Sequence, residues 1–356
     1  MNKHFLALAI AAIGTPALAQ NATSSLTLYG IVDAGVMHNS NNAGQSETRM
    51  ASGYLQTSRF GFRGTEDLGG GLRALFTLES GLNVTTGASS STTTLFNRQA
   101  FMGLSSSTLG TLTLGRQYTP VYDHLIALSG APTFGVGGGA VDGIAAPGST
   151  VARFDNTLGG TRIDSSFKYT SPEFSGFKFN AMWQSRPDAS SAKTGQLSSV
   201  GLGYNAGALS SGLGYIVRKC SSITTGCTAT TDDDKLWALG VGYDLGMAKL
   251  AGIYTSQKNA KNVKDSDGDV LHLMVKIPVG GWHLAAGYQH LNDKSVRDED
   301  VRQFNLSALY YLSKRTSVYG AYSHQKVDNG GKASMAVTTS SDSKQNVYAV
   351  GIRHVF

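Results

Sequence analysis

The sequence predicts an all-β fold, a sixteen-stranded antiparallel transmembrane β-barrel whose long third external loop folds into the lumen. Three observations predict it. Short segments that alternate apolar and polar residues recur along the chain, and the connections between them alternate between short and long. One connection, 119–159, runs for about forty residues without a sustained helical or strand period, which is long for a compact fold. Such an insertion is typical of a gate inside a hollow β-structure.

The composition favours one exported domain. The chain has 356 residues, of which 44 are glycine and only 15% are charged, against about 25% in soluble domains. The strand pattern continues from end to end with no linker of shifted composition. This composition excludes a disordered chain, and it differs from the composition of a helical enzyme.

Residues 1–19 have the pattern of a signal peptide. Lys3 and His4 form a short basic start, 5–13 is apolar, and Ala17 and Ala19 give a small-residue cleavage site. We therefore expect a mature barrel of residues 20–356. The alternative is a buried N-terminal helix, which the small-residue stop disfavours.

The first strand shows the alternation on which the fold prediction depends. In 25–37, Leu28 and Val32 share one face while Thr27 and Asp33 share the other. The same period predicts fifteen further strands at 54–66, 71–84, 95–106, 110–118, 160–171, 177–186, 196–205, 208–219, 235–245, 247–258, 269–278, 281–292, 300–312, 316–327 and 345–356.

The connections indicate how these strands are arranged. Seven are very short and eight are longer, polar and variable, and the two classes alternate strictly. That is the pattern of an up-and-down antiparallel sheet, and closure into a barrel removes its unpaired edges. Many polar faces are too hydrophilic for a packed core. We therefore expect apolar residues to face lipid and polar residues to line a water-filled bore.

Arginines flank the long insertion on both sides, and acids lie within it. A row of like charges in a narrow aqueous passage raises the local concentration of anions. The alternative is that these are solvated surface charges, and that the acids cap or anchor the loop. Arg116 shares its parity with Leu112 and Leu114, so an inward Arg116 requires a bulge. The residues in question are Arg59, Arg63, Arg73, Arg98, Arg116, Arg153 and Arg162, with Tyr122, Asp123 and Asp142 in the insertion.

Two cysteines, Cys220 and Cys227, lie in one polar loop. In an exported chain this spacing predicts a disulfide. A metal pair is the weaker alternative because no histidine is adjacent.

Other motif-like stretches do not support catalysis or cofactor binding. The glycine-rich 135–139 is not followed by a strand-to-helix unit, and the calcium-like 265–269 has its glycine too early and no terminal glutamate. The acidic run 232–234 is either a divalent-cation bridge to lipopolysaccharide or a solubilising loop. We predict no cofactor, no metal site, no nucleic-acid partner and no catalytic residue.

Several segments resemble the general porins of Gram-negative outer membranes, closest to the neisserial-type branch of the beta-proteobacteria. They include SSLTLYGIVDAGV, SRFGFRGTEDLGGGLRALFTLESG, FNRQAFMGLSSSTLGTLTLGRQYTPVYD, YTSPEFSGF, YYLSKRTSVYG and YAVGIRHVF. The resemblance spans essentially the whole mature chain. It implies a homotrimeric diffusion channel in the outer membrane, narrowed by the third external loop.

The resemblance also implies roles for individual positions. It places Arg59, Arg98 and Arg116 on the basic wall of the pore, and Tyr122 and Asp123 at the start of the inserted loop. Arg162 lies in RIDSSFKY, where Ser165 replaces a family asparagine, and Arg153 is a second candidate for the same role. The terminal Phe356 is similar to the aromatic residue that the outer-membrane assembly machinery reads.

The expected function is passive diffusion of small hydrophilic solutes and ions, with a weak to moderate preference for anions. The expected partners are a homotrimer, outer-membrane lipid and lipopolysaccharide, and the assembly machinery. The alternatives are a substrate-specific channel, a barrel used mainly as an adhesin or phage receptor, and a barrel enzyme, for which no catalytic cluster can be specified.

Overall fold

Buried and exposed side chains alternate along most strands of the computed structural model, which describes residues 24–129, 162–185, 196–220, 231–335 and 338–356. Within Val301–Tyr311, Phe304 and Leu306 are 40% and 42% exposed, whereas Gln303 and Asn305 are buried. Period-two alternation puts these two sets on opposite faces of the sheet. The exposed face is the apolar one, as predicted.

The described elements occur in the following order: β1 Ser24–Asn42, β2 Gln45–Ser52, β3 Arg59–Gly69, β4 Leu72–Gly81, β5 Gln99–Ser106, β6 Gly110–Gln117, α1 Pro120–Leu125, β7 Ile163–Thr170, β8 Phe177–Gln184, β9 Leu197–Ala206, β10 Leu209–Arg218, β11 Asp234–Asp244, β12 Lys249–Lys258, β13 Gly268–Val279, β14 Trp282–Asp293, β15 Val301–Tyr311, β16 Thr316–Val327, β17 Ser334–Met335, β18 Thr338–Thr339 and β19 Lys344–Val355. Short 3-10 turns occupy Ile126–Ser129 and Ala260–Asn262. Among the described residues, no helix has the length and hydropathy needed to cross a membrane.

The strands form one closed antiparallel barrel. Its sheet contains seventeen strands, and β1 joins the two ends by pairing with β19 on one side and with β2 and β3 on the other. β2 pairs with the second half of β1 and β3 with the first half, so these two strands share one place in the wall. The seventeen strands therefore occupy sixteen places, and the predicted sixteen-stranded antiparallel barrel is confirmed.

The alternation of short and long connections is also confirmed. Turns of a few residues join β3 to β4, β5 to β6, β7 to β8 and each later pair at the same end of the barrel. Both chain ends of the barrel, Ser24 and Val355, lie at this end, because β1 and β19 are antiparallel neighbours. The longer connections therefore gather at the opposite end.

The first long connection differs from the prediction. β1 extends to Asn42 and turns tightly into β2 through Ala43 and Gly44, both at positive φ, so the loop expected near residue 41 is a hairpin. The predicted strand 54–66 begins only at Arg59. Residues 53–58 leave the wall because Gly53, at φ +70°, donates its N–H to Asp33 O and so turns the chain away from the sheet.

Aromatic residues mark the outer face near the short turns. The rings of Trp282 and Tyr310 lie 4.9 Å apart beside the turn between β13 and β14, and those of Phe177 and Tyr204 lie 4.4 Å apart at the start of β8. Trp282 and Phe177 are each 46% exposed. Such rings are typical of the interfacial girdle of a membrane barrel.

Three apolar clusters lie on the inner face among the described residues, and two of them contain segments that leave the wall. We name the first the helix cluster, because α1 packs there against β8–β11 and the 3-10 turn that follows it against β11 and β12. It comprises Val121, Leu125, Leu128, Ile163, Met182, Leu197, Ile216, Leu236, Ala238, Ile253 and Met274. We name the second the seam cluster, because it lies beside the β1–β19 junction; it comprises Met37, Ala51, Tyr54, Leu55, Leu309, Tyr319, Met335, Val347 and Ala349. Each cluster therefore covers part of the inner wall.

Candidate channel constriction

The described start of the third long connection is a short helix that the local sequence favours. Thr119 is the N-cap, and its hydroxyl accepts from Tyr122 N at 3.3 Å. Pro120 occupies the first turn, where its missing N–H is not needed. Only two residues therefore separate the end of β6 at Gln117 from the start of α1 at Pro120.

α1 lies directly against the backbone of β9 and β10, because glycines line the inner face there. A Cβ at Gly201 would lie 2.8 Å from Pro120 O, and one at Gly214 would lie 2.5 Å from Val121 Cγ2. Both distances are shorter than real contacts allow, so only glycine admits the helix at this depth. The described part of the loop, 119–129, thus lies on the inner wall, whereas the rest of the predicted constriction loop lies outside the described residues.

Glu79, in β4, is the centre of a charged cluster next to α1. Its carboxylate accepts from Arg98 Nε at 2.7 Å and from Tyr29 Oη at 3.2 Å, and Arg59 Nε lies 3.6 Å away. The side chains of Glu79 and Arg98 are each only 6% exposed. A carboxylate buried to this extent requires charged and hydrogen-bonding partners, and here the two arginines and the tyrosine supply them.

Tyr118 joins a third arginine to this cluster. Its hydroxyl accepts from Arg98 Nη2 at 3.0 Å and also from Arg162 Nη2, whose guanidinium carbon lies 4.6 Å from the centre of the Tyr118 ring. The Tyr118 ring stacks on Tyr122 with centroids 4.0 Å apart. Burial, followed by the nearby charge of Arg98, lowers the pKa of Arg162, but an arginine remains protonated at neutral pH.

We name Arg59, Glu79, Arg98, Tyr118 and Arg162 the arginine cluster. Its three guanidinium groups and one carboxylate carry a formal charge of +3 − 1 = +2. The cluster extends from β3 to the start of β7 along one side of the barrel. Fixed positive charge on one wall of an aqueous passage attracts anions and repels cations.

Asp123 does not stand free opposite the arginines. Its Oδ2 accepts from Lys168 Nζ at 2.7 Å and from Asn180 Nδ2 at 3.0 Å, and Lys168 also donates to Tyr118 O at 3.1 Å. The carboxylate is therefore paired with a cation of β7 and anchors α1 to the wall. Of the two roles considered for Asp123, the contacts favour the anchor.

Arg116 is not brought to the cluster. It has the parity of Leu112 and Leu114, which are 47% and 41% exposed, and its Nη1 donates to Asp164 Oδ1 at 2.6 Å. The pairing of β6 with β7 shifts register between Gly115 and Gln117, but the extra residue lies in β7, so β6 keeps its alternation with Gln117 buried on the inner face and Arg116 on the other.

Arg63 and Arg73 face the lumen closer to the short turns. The Arg63 guanidinium lies 5.4 Å from the centre of the Tyr29 ring, and Arg73 pairs in register with Asp67. Arg63 and Lys168 line a cavity of about 380 Å³ with several threonines. The predicted role of Arg63 and Arg73 in the basic lining of the lumen stays a prediction.

The other predicted site residues divide into two groups. Phe356 closes the seam: its N–H donates to Gly30 O at 3.1 Å, and its ring covers Gly30, where a Cβ would lie 2.3 Å from Phe356 Cζ. Cys220 is disulfide-bonded, but its predicted partner Cys227, together with Arg153, Asp142 and the signal peptide 1–19, lies outside the described residues, so these predictions stay open.

Sequence reasoning missed two members of the arginine cluster, Glu79 and Tyr118. Glu79 shares the inward parity of Thr77 in β4, and the alternation in the sequence shows this. A single acid among inward arginines is the signal that could have identified Glu79 as their partner. Nothing in the local pattern of Tyr118 distinguishes it, because its partners come from the loop before β5 and from the residue before β7.

A closed barrel with an apolar outer face and a charged, partly filled lumen defines a β-barrel membrane channel. Comparison with known families then assigns the chain. The sequence model described as "Gram-negative porin" matches residues 7–330, so the chain belongs to the Gram-negative porin family. It is an outer-membrane channel and not an enzyme.

Individual relatives agree with this assignment. The chain is 32% identical to outer membrane porin protein 32 of Delftia acidovorans and 30% identical to an outer membrane porin protein of Bordetella pertussis, in each case over the full length of both chains. Among solved structures, the anion-selective porin from Comamonas acidovorans superposes with a TM-score of 0.78 at 26% identity, covering 94% of this chain and all of that one.

Proposed function

We propose that this porin conducts small hydrophilic solutes and ions by passive diffusion with a preference for anions, and that the arginine cluster determines this preference. The observation that carries the proposal is the +2 formal charge of that cluster, in which Glu79 is shared among Arg59, Arg98 and Tyr29. The 26% identity to a porin named as anion-selective supports the same conclusion.

The physical argument concerns the bore beside the arginine cluster and α1, which the stacking of Tyr118 on Tyr122 joins. Charges held beside a narrow water-filled passage with low-dielectric walls act over a short distance, so bulk salt screens them less than surface charges. A solute must also leave the channel, so the binding of each anion stays weak.

The test is the reversal potential of single channels in planar bilayers across a KCl gradient. We expect a potential of the anion-selective sign and, in Arg98→Ala, a shift of several-fold in permeability ratio toward cations, because Glu79 then loses its closest cation. Arg116→Ala is the matched control: it removes the same charge from the outward-parity face and should leave the potential unchanged. Cation selectivity of the wild type would refute the proposal.

A substrate-specific channel is the competing function. It requires conductance that one solute blocks saturably, whereas a diffusion pore shows conductance that rises with salt concentration. The same bilayer recordings with candidate solutes therefore distinguish the two.

We further propose a homotrimer in the outer membrane, in contact with lipid and lipopolysaccharide, whose assembly uses the C-terminal Phe356. The trimer is the assembly that the resemblance to the general porins implies; OmpT of Vibrio cholerae, described in its trimer form, shares the fold with this chain at 18% identity. Gel mobility of heated and unheated protein measures the oligomeric state. We also propose cleavage after Ala19 and a Cys220–Cys227 bridge, both measurable by mass spectrometry of the mature protein.

A further inference from the structure

Residues 53–58 form a second segment that leaves the wall and packs on the inner face. Tyr54 and Leu55 are 1% and 5% exposed, and both belong to the seam cluster. Other members of that cluster, such as Leu309 and Tyr319, have inward parity, since their neighbours Tyr310 and Val318 are 37% and 36% exposed. The segment therefore lies within the barrel, at the break between the end of β2 and the start of β3.

One buried carboxylate holds this segment. Asp33 is fully buried in β1; its Oδ2 accepts from Gln56 N at 2.7 Å and its Oδ1 from Tyr319 Oη at 2.8 Å. Its backbone is also engaged, because Asp33 O accepts from Gly53 N at 2.8 Å and from Ser58 Oγ at 3.0 Å. Both ends and the middle of the segment are thus tied to a single residue.

An inward cation, Arg353, also contacts the segment. Arg353 pairs in register with Asp33 across the seam, and its Nε donates to Gln56 Oε1 at 2.8 Å. The side chain of Gln56 is therefore fixed by β19 while its backbone is fixed by β1. Charged hydrogen bonds of this kind are stronger than neutral ones and fix geometry.

The segment ends at the arginine cluster. Arg59 follows Ser58 directly, and its Nη1 contacts Thr57 O at 3.4 Å. Ser58 O also accepts from Leu82 N at 3.0 Å, which ties the segment to the strand that carries Glu79. Displacement of 53–58 would therefore move Arg59 relative to Glu79.

We infer that residues 53–58 are a second constriction element, lying on the seam side of the bore while α1 lies against β9 and β10, and that Asp33 is its positioning residue. Asp33 touches no permeating ion in this arrangement. It acts through the segment, which occupies part of the bore and sets the place of Arg59. The selectivity part of this inference rests on the proposed function, whereas the conductance part does not.

The test measures the conductance and reversal potential of individual channels, which do not depend on how many channels fold and insert. For Asp33→Ala we expect a single-channel conductance higher by roughly 1.5-fold and a smaller anion preference, because the freed segment widens the bore and releases Arg59. Asp33→Asn keeps one of the two acceptor oxygens and should give intermediate values. Asn305→Ala is the matched control: it truncates another buried polar side chain of inward parity, and should match the wild type.

A milder variant keeps the test valid if Asp33→Ala does not fold. Gln56→Ala removes the Arg353 contact but keeps the backbone N–H of residue 56 that donates to Asp33, and should raise conductance in the same direction by a smaller factor. Folded Gln56→Ala or Asp33→Ala channels with wild-type conductance would overturn the inference. If the wild type proves non-selective, the proposed function fails, but the conductance comparison still tests the second constriction.

Discussion

Arg98 Nε donates to Glu79 Oε1 across 2.7 Å, and both side chains are almost completely shielded from water. The contact joins β4 to the residue that precedes β5, on the wall where the arginine cluster lies. It fixes the direction of the Arg98 guanidinium, whose Nη2 then reaches Tyr118. Glu79, which partly neutralises the charge of Arg98, therefore also positions the Arg98 guanidinium.

Glu79→Gln should increase the preference for anions. The amide retains an acceptor oxygen but removes one negative charge, so the formal charge of the cluster rises from +2 to +3. We expect the anion-to-cation permeability ratio to rise about two- to threefold, measured as a reversal potential. A ratio that falls would mean that Glu79 serves mainly to hold Arg59 and Arg98 in place. Glu66→Gln, near the short-turn end of β3, is the control.

Gly201→Val should displace α1 from the inner wall. The Cβ alone would lie 2.8 Å from Pro120 O, a backbone atom that cannot move aside independently of the helix. We expect a higher single-channel conductance and a melting temperature lower by several degrees, consistent with about 1–3 kcal/mol of overpacking. Gly252→Ala is the control, because its Cβ would make only an ordinary contact at 3.4 Å. Unchanged conductance of folded Gly201→Val channels would contradict the position of α1.

Acid should weaken the docking of α1 through His124. Burial lowers the pKa of His124 below its ordinary value of 6.5, and the groups around it are Asp123, which opposes this shift, Lys168 and Lys178, which add to it, and Asn180. A group with a lowered pKa in the docked state takes up more protons when released. The docking of α1 is therefore most stable above pH 6.5, and its stability decreases as the pH falls through the lowered pKa of His124.

We therefore expect the single-channel conductance to differ between pH 7.5 and pH 4.5, which lie on either side of about 6.5, the ordinary pKa of histidine. His124→Gln has no titrating ring, so its conductance should vary less over the same interval. His354→Gln, at the short-turn end of β19, serves as the histidine control and should retain the wild-type pH dependence. Equal pH dependence in His124→Gln would assign the effect to another group.

Gly30→Val should impair closure of the barrel. The terminal Phe356 ring occupies the space above Gly30, and a Cβ there would lie 2.3 Å from Phe356 Cζ and 2.6 Å from Arg59 O. We expect a lower yield of heat-modifiable, folded protein on refolding into detergent, where no assembly machinery is present. Gly320→Val is the control, since its Cβ would meet nothing within 4 Å. Equal refolding yields for the two variants would show that the Phe356 contact does not limit closure.

The sequence by itself determined the architecture and the face of most side chains. Leu28 and Val32 face outward, and Thr27 and Asp33 inward, because strand side chains alternate with a period of two, a property of neighbouring residues only. The same local rule predicted an inward Arg59, and it showed that Arg116 shares its parity with outward leucines. In the structure Arg116 keeps that parity and pairs with Asp164.

Only the tertiary structure decided which of these residues meet. Glu79, Arg98 and Arg162 come from three separated parts of the chain, and Asp33 reaches Tyr319 across 286 positions. Such contacts depend on strand register, on closure of the barrel and on the path of segments that leave the wall. No local period carries that information, because it arises only when distant strands pair and exclude water together.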